Sequence, residues 1–446
     1  MKRNINIYGA GLAGSEAAWQ AARMGVHVTL YEMKPAKKSP AHHSNGFAEL
    51  VCSNSLRSNE LSNGVGLLKA ELNKMGSLVM KAAYSSRVAA GGALAVDRDL
   101  FSQFVTEKIK SNDNITVIEK ECTEIPEDEI TVIATGPLTS AALAEKIGEM
   151  IGGKRLYFYD AAAPIVEAES INMSRAFFAS RYGKGSADYI NCPLTEEEYK
   201  IFYKALITAE EAKLHDFESG DKLKIFEGCM PVEVMGKRGE DTLRFGPMKP
   251  VGITNPITGE EYYAVVQLRR ENEEGTMYNI VGFQTHLTFP EQRRVFRMIP
   301  GLENADFLRY GVMHRNTFLN SPELLAEDYS MRTNRKIFFA GQMTGVEGYI
   351  ESASSGFVAG INAALRARGK ESCFFPREMM TGAMAHYISH GDKTTFQPMN
   401  ANFGVMPPLS EKVKGGKKFR NEAYANRAIA KTEEVAVLLN ELANCY

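Results

Sequence analysis

The stretch NINIYGAGLAGSEAAWQAARMGVHVTLYE, residues 4 to 32, constrains the fold more than any other part of the chain. Asn4 to Tyr8 alternates apolar Ile5 and Ile7 with polar positions, as a strand does, and an Ala-rich run to about Met24 has helical character. His27 to Tyr31 is strand-like again, and Glu32 ends it. Between the first strand and the helix stand Gly9, Ala10, Gly11, Leu12, Ala13 and Gly14, a GxGxxG turn. In such a turn the first glycine permits the bend, the second lets the backbone approach a pyrophosphate, and the third lets helix pack on sheet. The helix N-terminus then faces the phosphates, and Glu32 stands where a ribose hydroxyl is held. The unit predicts a dinucleotide site on a parallel α/β sheet.

Two distant segments choose among dinucleotides. EITVIATGPL, residues 129 to 138, reads as a β-branched strand running into Ala134-Thr135-Gly136, a return strand passing the nucleotide. KIFFAGQMTGVEGYIESASSGFVAGINAAL reads as strand, glycine turn and helix. There Gly341, Gly345 and Gly348 allow close backbone approach, with Gln342 beside them as a further cofactor-binding candidate, and the helix from about Glu351 to Leu365 aims its positive end at a flavin ring. GFVAGINAA within that helix reads as ordinary helix packing. Segments so far apart meeting at one cofactor imply FAD in an interrupted domain. No second GxGxxG follows a strand, because RYGKGSAD and KIGEMIGGKR lack one. A nicotinamide donor, NADH or NADPH, is therefore expected to visit the flavin transiently.

A chain of 446 residues exceeds one ordinary core. The expected architecture is a Rossmann-like FAD-binding domain, glutathione-reductase-like, from residues 1–150 and 320–446, interrupted by an inserted α+β domain at 151–319 that covers substrate and folate. TEEEYKIFYKALITAEEAKLHDF opens with a Thr195–Glu198 capping box and predicts a surface helix. IFEGCMPVEVMGKRGEDTLRFGPMKPVGI and YYAVVQLRR to GFQTHL predict short strands between Gly, Pro and Asp turns. After Pro376, HYISHGDKTTFQPMNANFG reads as loop, EKVKGGKK as a basic link, and NEAYANRAIAKTEEVAVLLNEL as a closing amphipathic helix.

With 44% hydrophobic and 24% charged residues and no apolar run of membrane-spanning length, the composition is that of a globular protein. The N-terminus lacks signal-peptide character, so a cytoplasmic location is expected. Cys52, Cys122, Cys192, Cys229, Cys373 and Cys445 form no CxxC or Cys/His cluster, so neither disulfide framework nor metal is expected. A formal net charge of −2 gives no overall pull toward nucleic acid.

GAGLAGSEAAWQ, YEMKP, AHHSNGFAELVCSNSLRSN, GGALAVDRDLF, ATGPLTS, FEGCMPVEVM, YNIVGFQTHL, FAGQMTGVEGYIES and MNANFG together closely resemble the TrmFO family, folate-dependent tRNA uracil-5-methyltransferases. The resemblance runs over nearly the whole chain. Larger GidA-type flavoproteins share the FAD motifs but carry a long helical extension. The resemblance implies a bound FAD that takes a methylene unit from 5,10-methylenetetrahydrofolate and passes it to C5 of a uridine in the tRNA T-loop, with NAD(P)H restoring the flavin. Some relatives act on a large-subunit ribosomal RNA uridine instead. A small-molecule flavin oxidoreductase, or a non-catalytic flavoprotein binding tRNA or folate, would need the FAD motifs alone.

Uracil C5 is a poor nucleophile, and a thiolate adding at C6 turns it into an enolate. By residue type alone Cys229 reads equally as core filler, and Glu227 and Glu233 beside it would raise a thiol pKa that Lys237 and Arg238 could lower. The resemblance assigns the nucleophile to Cys229, since FEGCMPVE matches the family segment that carries it. It also places a functional cysteine at Cys52, as general base at C5 or as protection for the flavin. His286 in GFQTH is implied to stack on the folate pterin, although a lone histidine after an apolar strand is more often structural. Cys122, Cys192, Cys373 and Cys445 read as structural, and His42 and His43 as hydrogen-bonded loop residues. Arg98 has two open readings, a phosphate clasp or a helix cap. Cations available to RNA phosphates are Lys237, Arg238, Arg269, Arg270, Arg293, Arg294, Arg297, Lys414, Lys417 and Lys418, though such groups are usually solvated faces.

Overall fold

The computed structural model describes residues 4–39, 41–152, 155–161, 163–183, 186–212, 230–270, 275–311, 313–394, 396–411, 413–414 and 416–444. Its first sheet holds five parallel strands in the order Ile337–Phe339, Thr131–Ile133, Asn4–Tyr8, His27–Glu32, Ile115–Glu119. Parallel strands need crossover connections, and the helix Leu12–Arg23 provides the first of them. Ile5, Ile7, Val28, Leu30, Val132, Ile133, Phe338 and Phe339 are all fully buried, as strands covered on both faces must be. The chain leaves Asn4–Tyr8 toward one neighbour and returns on its other side, and that reversal opens a crevice at the strands' carboxyl ends.

The helix Tyr349–Ala367 lies against Leu12–Arg23. A Cβ on Gly356 would stand 2.1 Å from the Ala13 carbonyl oxygen, and one on Gly360 would stand 2.4 Å from that of Ala17. These two glycines are packing residues, as the GFVAGINAA spacing predicts, and they let both helices deliver their N-termini to the same crevice. The observed helix starts at Tyr349, two residues before the expected Glu351.

A second, antiparallel sheet has the order Phe177–Ala179, Tyr189–Leu194, Ala264–Arg270, Met277–Ile280, Ile165–Glu167, Phe307–Arg309. Its apolar cluster draws on residues from Val166 to Phe307, whereas the first cluster draws on segments before and after them. An antiparallel ribbon of Arg155–Ala161 with Met313–Leu319 carries the chain between the two. The helix Glu196–Ile207 caps this core with Tyr199, Phe202 and Leu206, and its N-terminus carries the predicted capping box.

Two expectations are corrected. Within residues 230–249 the described chain forms short helices, Val232–Gly236 and Thr242–Phe245, where strands were predicted. Glycines at 236, 239 and 246 interrupt the run, and Val232, Glu233 and Gly236 are buried at helical rather than alternating spacing. HYISH belongs to a helix, Met380–His390, with Met380, Ala383, Met384 and Ile388 buried at helical period. The helix Lys417–Asn444 is amphipathic as expected: Asn421, Ala425, Ala428, Thr432, Val435 and Leu439 make one buried stripe. Among the described residues no helix is long and apolar enough to cross a membrane.

Candidate functional site

The crevice is lined by Gly9, Gly11, Leu12, Ala13, Glu32, Ala134, Gly136, Gly341 and Gln342 among the expected residues, so four distant segments meet there. Each glycine has its own reason. Gly9 has φ +91° and its Cβ would meet the Ala134 carbonyl oxygen at 2.8 Å, while a Cβ on Gly14 would lie 1.8 Å from the Gly9 oxygen. Gly11 and Gly136 have nothing within 4 Å of a Cβ, so the space they leave belongs to the crevice. Gly341, at φ +85°, donates its N–H to Ser355 Oγ at 2.7 Å. Neither Leu12–Arg23 nor Tyr349–Ala367 has a side-chain N-cap, and Leu12, Ala13, Tyr349 and Ser352 all face the crevice. Two helix N-termini converge on one site, which suits anionic and electron-rich groups.

Glu32 is 6% exposed and accepts from the backbone N–H of Ala10 at 2.8 Å and of Lys34 at 3.0 Å. Ala10 thus acts through its N–H, which holds the Glu32 carboxylate at the end of its strand. The sequence reading missed Tyr31, Lys34, Glu49, Cys122, Thr135 and Ser140 as crevice residues, and placed His42 in a loop without this role. YEMKP and ATGPLTS contain four of them, so the signal lay in the flanks of motifs already singled out. Burial pushes the Cys122 thiol up to about 11, which keeps it protonated and unreactive beside the crevice.

Gly345, Gly348 and Glu351 stand behind the crevice wall. A Cβ on Gly345 would meet the Phe396 ring at 2.5 Å, and one on Gly348, at φ +127°, would meet Glu351 Oε2 at 2.2 Å. Glu351 is buried, accepts the Ala401 N–H at 2.9 Å and pairs with Arg57 at 3.4 Å. Met399 N–H donates to the Gly345 oxygen and Glu347 N–H to the Met399 oxygen, so MNANFG is laid beside the 345–347 turn. These residues shape the turn that presents Gly341, Gln342 and Tyr349.

Cys52 is half-buried in a segment fastened from several sides. Its N–H and that of Ser53 donate to Tyr349 Oη at 2.7 and 3.0 Å. Arg98 Nη1 donates to the Leu50 oxygen at 2.7 Å and Nη2 to the Cys52 oxygen at 3.3 Å. From the second sheet, Arg309 donates to the Val51 oxygen, and Arg269 donates to Asn54 Oδ1 at 3.1 Å and Ser53 Oγ at 2.6 Å. The helix cap beside Arg98 is Asp97, which accepts from Asp99 and Leu100 at 3.0 Å. The structure therefore adds a third role to the two open for Arg98: it holds the Cys52 segment. Val51 and Tyr349 line the crevice, so this segment forms part of its rim. Arg269 is 7% exposed and committed here, unlike the surface cation expected from sequence.

Cys229 and Glu227 lie outside the described residues, as does Cys445; the description resumes at Met230. Val232 N–H donates to the Gln284 oxygen at 2.7 Å. Buried Glu233 accepts from Thr285 Oγ1 at 2.8 Å and His286 N–H at 2.7 Å, and burial raises its carboxyl pKa. The Pro231–Glu233 end of one motif is thus bound to GFQTH, with His286 half-buried beside it. Lys237 pairs with Glu211. Elsewhere Glu327, His386 and His390 bring ligand-type atoms within 4.8 Å, but His386 Nδ1 bonds Glu327 at 2.6 Å and His390 Nδ1 bonds Ser389 at 2.8 Å.

Residues 4–371 match the family described as glucose inhibited division protein A. A relative from Acetivibrio thermocellus, named methylenetetrahydrofolate–tRNA-(uracil-5-)-methyltransferase TrmFO, is 60% identical over 95% of this chain and 97% of its own. Relatives of the same name from Enterococcus faecalis and Bacillus subtilis are 59% and 57% identical, covering 96% and 98% of this chain and 98% and 99% of theirs. The solved structure of Aquifex aeolicus GidA superposes with a TM-score of 0.70 at 18% identity, over 98% of this chain and 75% of that one, which shows the fold. With the family match spanning most of the chain and close likeness to these relatives over nearly its full length, the chain belongs to the GidA family and, within it, to the TrmFO methyltransferases.

Proposed function

We propose that the protein is a methylenetetrahydrofolate-dependent tRNA (uracil-5-)-methyltransferase making 5-methyluridine at position 54 of the T-loop. The observation that carries this reading is 60% identity over 95% of the chain to a relative of that name. The crevice supports it. Gly11 and Gly136 leave open the space a pyrophosphate needs, the Glu32 carboxylate is held at the ribose position, and two helix N-termini face inward. These residues fit FAD, with Gly9, Ala10, Gly11, Leu12, Ala13, Gly14 and Glu32 at its nucleotide end and Gly341 and Gln342 toward its ring. When bound, FAD supplies the electron pair that converts a transferred methylene into a methyl group, and NADH or NADPH replenishes it.

The chain's own residues do the rest. Cys229 thiolate adds to uracil C6, the ring carries the resulting negative charge as an enolate, and C5 becomes nucleophilic toward the folate-derived methylene. Loss of the C5 proton to a base expels the methylene's carrier and leaves an exocyclic methylene at C5; hydride added to that carbon makes the methyl group, and the resulting enolate ejects the Cys229 thiolate to restore the C5–C6 double bond. Cys52, held at the rim by Tyr349, Arg98, Arg269 and Arg309, serves at that proton or shields the reduced cofactor. His286 stacks on the pterin, and residues 151–319 form the covering domain that brings folate and RNA over the crevice. The reaction takes place in the cytoplasm. Unmodified tRNA incubated with enzyme, methylenetetrahydrofolate and NADPH should yield 5-methyluridine on nucleoside analysis. Unmodified product with tRNA but methylated ribosomal RNA would move the substrate, and no nucleoside product from either would end the reading.

A further inference from the structure

The target uridine has to leave its loop stack, and the base it abandons, or the base itself, needs a flat surface at the mouth of the site. The structure offers one. Tyr310 lies parallel to Phe289, with centroids 4.8 Å apart and planes 15° apart, and parallel to Phe307, at 5.3 Å and 12°. Phe289 is 51% exposed at the start of the helix Phe289–Phe296, three residues after His286. Arg293, one turn further along the same helix face, donates to Tyr310 Oη at 3.0 and 2.7 Å and is itself exposed. On the other side of the stack, Arg309 immediately precedes Tyr310 and holds Val51 at the crevice rim. The ring stack is thus joined by short lengths of chain to the GFQTH motif, through Phe289, and to the Cys52 segment, through Arg309.

A phenylalanine half-exposed on two parallel rings keeps apolar surface in water, which a covering base would bury favourably, and an exposed guanidinium beside it suits a phosphate. A flat ring with a cation one helical turn away matches one nucleotide: base on Phe289, backbone on Arg293. We propose that the Phe289–Tyr310–Phe307 stack is the platform for an unstacked base of the RNA substrate, with Arg293 positioning the adjoining phosphate. The proposal rests on the reading of the protein as an RNA uridine methyltransferase.

Phe289 is exposed, so Phe289→Ala spares the core. Two measurements on the full-length, FAD-loaded protein test the platform. In steady-state methylation of tRNA, Phe289→Ala should raise KM for tRNA at least about fivefold, the loss of one base–aromatic stack, with kcat, flavin content and KM for the folate unchanged. Phe289→Trp should restore KM and Phe289→Leu should not. In direct binding, a T-loop RNA hairpin carrying 2-aminopurine in its loop should show fluorescence quenching by the wild type that Phe289→Ala abolishes. Equal KM and equal quenching in Phe289→Ala, or full rescue by Leu, would overturn the platform. If the wild type makes no 5-methyluridine yet the quenching depends on Phe289, the platform stands and the methylation reading falls. Quenching without dependence on Phe289 removes the platform whatever the activity.

Discussion

Gly11 and Gly14 are three residues apart and have opposite requirements. A Cβ at Gly14 would lie 1.8 Å from the Gly9 oxygen, so Gly14→Ala must push helix from turn and should cost about 1–3 kcal/mol in chemical unfolding. Gly11 has open space instead, and Gly11→Val should leave the melting temperature of the apoprotein within a few degrees while the purified protein loses its yellow colour. Retained flavin in Gly11→Val would show that the cofactor does not pass this turn. For the cysteines, Cys229→Ala should keep FAD and form no 5-methyluridine, and Cys52→Ala should keep FAD with impaired turnover; full activity of either removes that residue from the chemistry. The glycine turn was legible because its causes are local: each glycine answers to a neighbour a few residues away or to the strand beside it. Arg98 and Glu351 were not legible in the same way. Their partners, the Leu50 and Cys52 oxygens and the Ala401 N–H, lie more than forty residues off.

At the scale of elements, the helix Met380–His390 shows why a tail was expected where a helix stands. Its N-terminus has no Ser, Thr, Asp or Asn cap of its own; Glu71 from another helix accepts the N–H groups of Met380 at 2.7 Å and Thr381 at 2.9 Å and the Thr381 hydroxyl at 2.8 Å. Sequence reading looks for caps within a few residues, and this one is 309 positions away. By contrast Thr195 and Glu198 cap their helix locally, and its start was read correctly, although it ends at Ile207 and residues 208–212 do not continue the expected helix. Glu71→Ala strands three buried donors and should destabilise the protein by about 2–4 kcal/mol. Burial, opposed by those hydrogen bonds, pushes the Glu71 carboxyl from 4.5 up to about 7. The folded state therefore holds this proton more tightly than the unfolded chain does. Its contribution to stability is full below pH 4.5 and is lost as pH rises through about 7. The stability of wild type relative to Glu71→Gln, measured by urea unfolding, should fall across that interval; a flat difference would mean that the carboxyl titrates at its ordinary value.

At the scale of the whole molecule, the two sheets meet at the Leu50–Asn54 segment. Arg269 and Arg309 reach it from the second sheet, Arg98 and Tyr349 from the first body, and the segment carries Cys52 between them. Arg309→Ala should leave flavin binding intact and, if Cys52 has the role proposed for it, lower kcat for tRNA methylation by at least about tenfold, since small misplacement of a reacting group costs about that much or more. A kcat equal to wild type would show that the contact is mere packing. The pattern of the sequence changes near residues 150 and 320, and the two apolar clusters draw on different segments of the chain; the joint was not legible, because Arg269 and Arg309 sit in strands that give no local sign of their partners. In the proposed reaction the methyl carbon comes from folate. The direct measurement supplies methylenetetrahydrofolate labelled in its methylene carbon together with unlabelled S-adenosylmethionine, NADPH and unmodified tRNA. Label should appear in 5-methyluridine. Formation of 5-methyluridine without label would contradict the proposed reaction.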